Sequence, residues 1–330
     1  MTMTPLRELG RSGVKAGRLG LGCATFGREI SEADAFAIMD HAVALGIRLF
    51  DTAEAYGGGQ ARLYRKKELG ADDEREVSGE MHSSEKIVGR WMKSRGSRRD
   101  IVLLTKVTSN FTREHVRQAL AASLERLQTD SVDLYLYHSF DPDSPVEEAC
   151  AAMDEAVRSG WARAGGCSNY SGPQLEAALA ASGSLGVARF EVTECPYNLV
   201  AREIETDLLP VTEQQRVGVL AYSPLAAGFL TGKYSPDRAA VPKGTRFDVI
   251  PGHADVYFRD RNFRYVERLR QLAARTGLAP ERLAMAWALQ NPGVDTVLVG
   301  ARTEAHLDNA VAAAATDFPA AWMEEIGQWE

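Results

Sequence analysis

Short apolar runs alternate with amphipathic stretches along the whole chain. The runs at 19–21, 47–50, 101–105, 132–137, 163–167, 190–193, 217–221 and 296–299 have the length and setting of β-strands. Between them apolar residues recur at three- and four-residue spacing, as in 33–45 (Phe36, Ile38, Met39, Ala42, Val43) and 116–127 (Leu120, Leu124, Leu127). Ser144-Pro145-Val146-Glu147 and Ser171-Gly172-Pro173-Gln174 both predict a helix start, with an N-cap hydroxyl, an early proline and a capping-box partner. Eight strands, each followed by a helical segment with no linker-like break, predict one α/β domain over 1–330. Eight is also the number that closes a (β/α)8 TIM barrel, with a doubly wound sheet as the rival arrangement. The opening LRELGRSGVKAGRLGLG predicts an N-terminal β-hairpin plugging the bottom of the barrel. Two segments exceed a minimal barrel: an extra insertion after strand 2, at 61–81 (ARLYRKKELGADDEREVSGEM), and a long loop at 235–260.

In a parallel barrel, chemistry gathers where strands end and their following loops begin. The second strand ends on Asp51, the third on Lys106 and the fourth on His138. The fifth leads into Ser168 and Asn169, the sixth into Glu194, the seventh into Tyr222 and Ser223, and the eighth into Gly300, Ala301 and Arg302. Each residue alone has a structural account: Asp51 as a cap, Lys106 reaching for water along its stem, His138 as a hydrogen-bonded structural histidine. Together they compose a proton-delivery device with Tyr56, in the glycine-rich loop after Asp51. A phenol titrates near ~10, and a downward shift of about two units needs roughly 2.7 kcal/mol. The Lys106 ammonium is expected to supply it by stabilising the phenolate, Asp51 to hold the lysine charged, and His138 to steer a carbonyl oxygen toward the phenol. Tyr56 is then the general acid of a carbonyl reduction.

Composition narrows the partners. Hydrophobic residues make up 45% and charged residues 25%, and the formal net charge of −7 argues against nucleic acid or an anionic membrane surface. MTMTPLRELGRSG lacks the apolar core of a secretory signal, and no run has the length of a membrane span. The four cysteines form no CxxC pair and the histidines no HExxH, so a reducing cytoplasm and no metal are expected.

Long motifs now add a resemblance. LGRSGVKAGRLGLGCATFG, GIRLFDTAEAYG, LLTKV, YLYHSFDPDSPVEEACAAMDEAVRSG, GGCSNYS, ECPYNLVARE, VLAYSPLAAGFLTGKY and LVGARTEAHLDNA follow one another in the order of the aldo-keto reductase superfamily. The resemblance covers nearly the whole chain. It implies a (β/α)8 barrel, NADPH/NADP+ as cofactor, a small-molecule carbonyl substrate and the tetrad Asp51, Tyr56, Lys106 and His138. By position it places Ser168, Asn169 and Glu194 at the nicotinamide carboxamide and Tyr222 on the nicotinamide ring. Ser223, Leu225, Ala227 and Gly228 would lie along the pyrophosphate, with Lys233 and Arg246 as phosphate partners. Thr25, Gly300, Arg302, His306 and Asn309 complete the cofactor set, Arg302 at the adenosine 2′-phosphate. A guanidinium beside a helix N-terminus suits a phosphate, which favours NADP(H) over NAD(H).

Three departures from the family pattern stand out. Glu194 replaces a common glutamine, and an ionised carboxylate accepts hydrogen bonds but cannot donate them. Ala310 stands where an adenine-binding asparagine is usual. The 61–81 insertion is either a solvated excursion or a flap or subunit contact, and it brings Tyr64 as a rival to Tyr56. Phe26, Trp161, Tyr197 and the insertion are candidates for the substrate pocket. The second functional reading is a cofactor-binding regulatory subunit resembling the potassium-channel β subunits, and homo-oligomer formation is left open.

Overall fold

The computed structural model describes residues 6–329. Its centre is a closed barrel of eight parallel strands: β3 (Leu19–Gly22), β4 (Leu49–Asp51), β5 (Val102–Val107), β6 (Val132–Tyr137), β7 (Ala162–Ser168), β8 (Phe190–Pro196), β9 (Gly218–Tyr222) and β10 (Thr296–Gly300). Each pairs in parallel with its sequence neighbour, and β10 closes onto β3. These are the eight expected strands, with β6 at its expected bounds and the ends of the others shifted by no more than three residues. The doubly wound alternative is excluded by the closure.

Side-chain alternation divides the core in two. Inward-facing Leu49, Leu104, Leu134, Leu136, Val192, Leu220 and Leu298 fill the barrel interior. Outward-facing Phe50, Leu103, Tyr135, Tyr137, Val219 and Val297 pack beneath the helices. The expected hairpin is β1 (Arg7–Glu8) with β2 (Lys15–Ala16), paired antiparallel. Its Leu9, Val14 and Ala16 join the interior cluster and so plug the barrel floor. Gly10 turns the hairpin at φ +60°, where an added Cβ would meet Glu191 O at 2.3 Å.

The surrounding helices are α1 (Glu32–Ala44), α2 (Gly58–Leu69), α3 (Ser83–Arg95), α4 (Arg113–Leu127), α5 (Val146–Arg158), α6 (Gly172–Leu185) and α7 (Leu209–Gln215). After β9 come the short α8 (Arg246–Val249) and α9 (His253–Tyr257), then α10 (Asp260–Thr276) and α11 (Pro280–Gln290). After β10 come α12 (Glu304–Ala314) and α13 (Ala320–Gly327). Among the described residues no helix is long and apolar enough to cross a membrane.

The two expected helix starts part company. Ser171 caps α6 in a full capping box with Gln174. Ser144 does not cap α5. Its hydroxyl donates to Asp141 and accepts from Phe111 N, binding two loops instead, and Pro145 takes the cap position. Local competition for the hydroxyl overrode the local motif.

The insertion is neither loose nor solvated throughout. Its first half is α2, and Arg65 on that helix is fully buried. Arg65 pairs with Glu76, donates to Asp73 O at 2.9 Å and donates to Val249 O at 3.0 Å. Arg75 donates to Asp248 O at 2.6 Å. The insertion is thus fastened to α8 in the loop after β9. The glycine run before it is required by crowding: a Cβ on Gly58 would lie 1.8 Å from Ser78 O and 2.5 Å from Gly27 O.

Candidate active site

The alternation that fills the barrel interior also builds the site. Inward positions two residues beyond the apolar floor are Asp51 after Leu49, Lys106 after Leu104, His138 after Leu136, Glu194 after Val192 and Tyr222 after Leu220. Because all strands run parallel, these polar positions crown one end of the barrel. Asp51, Lys106 and Glu194 are 3 %, 0 % and 2 % exposed.

Lys106 is the hub. Its Nζ donates to Asp51 Oδ1, to Thr52 O at 3.2 Å and to the Tyr56 hydroxyl at 3.4 Å. It also lies 4.9 Å from the Tyr56 ring centre. On its far side Glu194 Oε2 stands at 3.2 Å, an ion-pair distance without hydrogen-bond alignment. Burial alone would depress the lysine, but Asp51, Glu194 and Tyr56 together hold the ammonium well above its ordinary value. Burial pushes both carboxyls up, Glu194 to about 8, with Asp51 adding to the push on Glu194. Of the two carboxyls, Asp51 has the aligned contact with the cation and Glu194 does not.

The phenol does not behave as the sequence suggested. Burial raises Tyr56 above its ordinary value, Asp51 and Glu194 add to the rise, and the downward pull of Lys106 is outweighed. The pull of an ammonium already in contact with Asp51 is smaller than the cost of burying the phenolate. Tyr56 therefore holds its proton firmly until negative charge develops beside it. His138 packs edge-on against Tyr56, with ring centres 5.3 Å apart and planes at 83°. Burial and then Lys106 push it down to about 3, so the imidazole is neutral. Its Nδ1 is buried with no hydrogen-bond partner among the described residues.

The cofactor-side candidates form a rim beside this centre. The Tyr222 hydroxyl donates to Asn169 Oδ1 at 2.7 Å, and Asn169 Nδ2 donates to His138 O at 2.8 Å and Ser168 Oγ at 3.0 Å. Asn169 is left with one oxygen lone pair, while Ser168 keeps its own proton to donate. Beyond β9, Ser223, Ala226, Ala227 and Gly228 all have positive φ. Strain in three non-glycine residues of one loop marks a backbone shaped for close approach. A Cβ on Gly228 would lie 3.4 Å from Lys233 Nζ. Thr25 Oγ1 donates to Ala301 O at 3.2 Å, tying the first strand's loop to the end of β10 beside Gly300.

Positive charge collects here. Burial and the charge of Arg302 push Lys233 and His306 down. Arg302 Nη1 donates to Gly244 O at 2.6 Å. Arg28 Nη2 is buried without a partner among the described residues. Mutually repelling cations with an orphaned guanidinium nitrogen fit an anionic, phosphate-bearing cofactor. Arg246 spends its charge on Glu29 at 2.9 Å, and His306 accepts from Thr303 N at the start of α12. Ala310 is turned into the core, with Asn309 half-buried beside it.

Several candidates fall outside the site. The Tyr64 hydroxyl abuts Gly252, where an added Cβ would come within 2.8 Å of it, and makes no bond to Lys106. Trp161 precedes β7 and so sits at the barrel floor, the wrong end. Tyr197 is buried, stacked on Trp287 at 4.9 Å and bonded to Glu205. Phe26 is fully buried. Exposed Phe140, edge-on to Tyr170 just beyond His138, was missed, as was the buried pair Arg28–Glu29. Charged neighbours on a short loop look like surface residues in sequence, and nothing in their spacing marks them otherwise.

A lysine, aspartate, tyrosine and histidine crown a (β/α)8 barrel beside a basic rim. The chain belongs to the aldo/keto reductase family, whose model matches residues 18–329. A probable voltage-gated potassium channel subunit beta from Arabidopsis thaliana is 32% identical over 91% of this chain and 88% of its own length. An uncharacterized oxidoreductase, YrpG, from Bacillus subtilis is 32% identical over 92% and 89%. The aldo-keto reductase YhdN from the same species is 31% identical over 90% and 85%.

Proposed function

We propose that the protein is an NADPH-dependent reductase of aldehydes, ketones or sugars, reversible toward alcohol oxidation, working as a single barrel unit over 1–330. The observation that carries this is the Tyr56 hydroxyl held 3.4 Å from a buried, charged lysine at the barrel mouth. The phenol keeps its proton in the resting site and releases it only as charge builds on a carbonyl oxygen, which is what a general acid for reduction requires. Lys106 stabilises the resulting phenolate, and Asp51 holds Lys106 charged. Neutral His138 can donate to the same oxygen and orient it. When bound, the nicotinamide supplies the hydride. Ser168, Asn169 and Tyr222 would hold its ring and carboxamide, the 223–228 loop its pyrophosphate, and Lys233 and Arg302 its phosphates.

Steady-state reduction of aldehydes, ketones and sugars with NADPH and NADH tests the reading. Turnover with NADPH preferred is expected, and Arg302→Ala should weaken NADPH binding by roughly 10- to 100-fold, the loss of one or two charge-assisted bonds. NADH binding should move far less. No turnover across the panel, or equal losses for both cofactors, overturns it. A second reading has the plant relative's name behind it: a cofactor-binding regulatory subunit. Absence of substrate-dependent oxidation of bound NADPH, together with a stably recovered membrane partner, would favour it.

A further inference from the structure

Glu194 is an ionisable residue of the barrel crown that the proton-delivery scheme leaves without work. It projects from β8, across the mouth from β4, so that the Lys106 ammonium lies between two carboxyls: Asp51 in direct contact on one side and Glu194 Oε2 at 3.2 Å on the other. Were both ionised, the buried centre would carry one positive and two negative charges with almost no solvent to screen them. Glu194 Oε2 has no aligned donor to satisfy it as an anion. A carboxylic acid there has a donor and an acceptor on one planar group, the same pair that a glutamine amide offers.

We propose that Glu194 is a positioning residue that works in its protonated form, matching the lysine's charge to Asp51 alone and offering a donor toward the nicotinamide side of the pocket. The proposal deepens the reductase reading and rests on it for its kinetic consequences. The groups facing Glu194 are Asp51 on β4, Lys106 on β5, the Tyr56 phenol from the loop after β4, Tyr222 on the adjoining β9 and Cys195 on its own strand. From β7 its paired neighbour is the non-ionising Ser168. His138, on the loop after β6, is neutral.

Burial first and Asp51 second push this acid up to about 8. Losing the proton places a second negative charge on the ammonium, makes the phenolate harder to form and removes the donor. Reductase activity should therefore fall on an alkaline limb set by Glu194, about tenfold per pH unit for one ionisation.

Infrared difference spectroscopy on the cofactor-free protein reads the proton without turnover. A protonated-carboxyl band present at neutral pH, absent from E194Q and lost as pH rises through about 8, is expected. In parallel, the alkaline limb of kcat/KM in the wild type should disappear from the E194Q profile, whereas E194A should lose both the limb and most of the rate. An E194Q-sensitive band lost at ordinary carboxylate pH, or an alkaline limb that survives E194Q, overturns the proposal. Failure of the whole carbonyl panel with the band present refutes the reductase reading and leaves the proton assignment standing.

Discussion

Replacing Lys106 by methionine removes the hub while keeping its volume and most of its stem. The ammonium sits 3.4 Å from the Tyr56 hydroxyl. At an effective dielectric of ~20, unit charges at that separation interact by about 5 kcal/mol. Asp51 cancels part of this, and only part of a charge develops on the phenol in the transition state. With about half the interaction remaining, the rate should fall by roughly 10²-fold. Stability changes too, with a sign that depends on pH. Removing one member of a buried ion pair costs about 3–5 kcal/mol when its partner stays ionised. Burial already raises Asp51 and Glu194, and without the lysine both would rise further. Groups raised in the folded state contribute fully at low pH and lose that contribution as pH climbs from the ordinary carboxylate range through the folded value. The deficit of Lys106→Met should therefore be small near pH ~4.5 and approach the full figure above about pH 8. Urea unfolding at both pH values, with single-turnover reduction at neutral pH, measures the two effects. A deficit equal at both pH values would refute the two-carboxyl arrangement. Less than a tenfold rate loss would refute the role given to the ammonium.

His138 should stay neutral between about pH 5 and 8, because burial and Lys106 push it to about 3. Its ring resonances, assigned by comparison with H138Q, should show no titration in that window, and a midpoint between about 5 and 7 would contradict the site's electrostatics. Since the unfolded ring takes a proton near ~6.5 and the folded one does not, His138 should also contribute to a loss of stability as pH falls below that value. Arg65→Ala should free the insertion by about 3 kcal/mol, leaving the buried Glu76 carboxylate unpaired. Limited proteolysis within 70–82 should then accelerate by roughly 10²-fold under conditions where cleavage follows the open population. Unchanged cleavage would show that Arg65 does not fasten the segment.

The barrel was legible because eight short apolar runs alternate with amphipathic helical stretches; in the fold its inner floor is Leu49, Leu104, Leu136, Val192 and Leu220, each two residues before a polar side chain. The ends of the strands placed Asp51, Lys106, His138, Glu194 and Tyr222 at one rim, and the two-residue period of the folded strands turns them inward. Local capping was legible only where nothing competed, at Ser171; at Ser144, Asp141 and Phe111 from other turns claimed the hydroxyl. Tertiary quantities were out of reach. The direction of the Tyr56 shift is set first by burial, which no spacing reveals. Trp161 and Tyr197 look like pocket aromatics in sequence, but one lies at the wrong end of its strand and the other stacks beneath α11. Arg65 and its carboxylates read as a solvated mixed-charge segment, because the burial that makes them structural comes from α8, some 180 positions later.

Single-turnover oxidation of bound NADPH by a reactive aldehyde, in wild-type and Tyr56→Phe protein, separates proton delivery from everything else the pocket does. The phenylalanine keeps the ring that packs against His138 and removes only the hydroxyl at Lys106. Cofactor affinity within about threefold of wild type, with hydride transfer slowed by roughly 10²- to 10⁴-fold, is expected of a lost general acid. Equal transfer rates in the two proteins would mean that the proton comes from another group, and that the lysine-held phenol is not the acid.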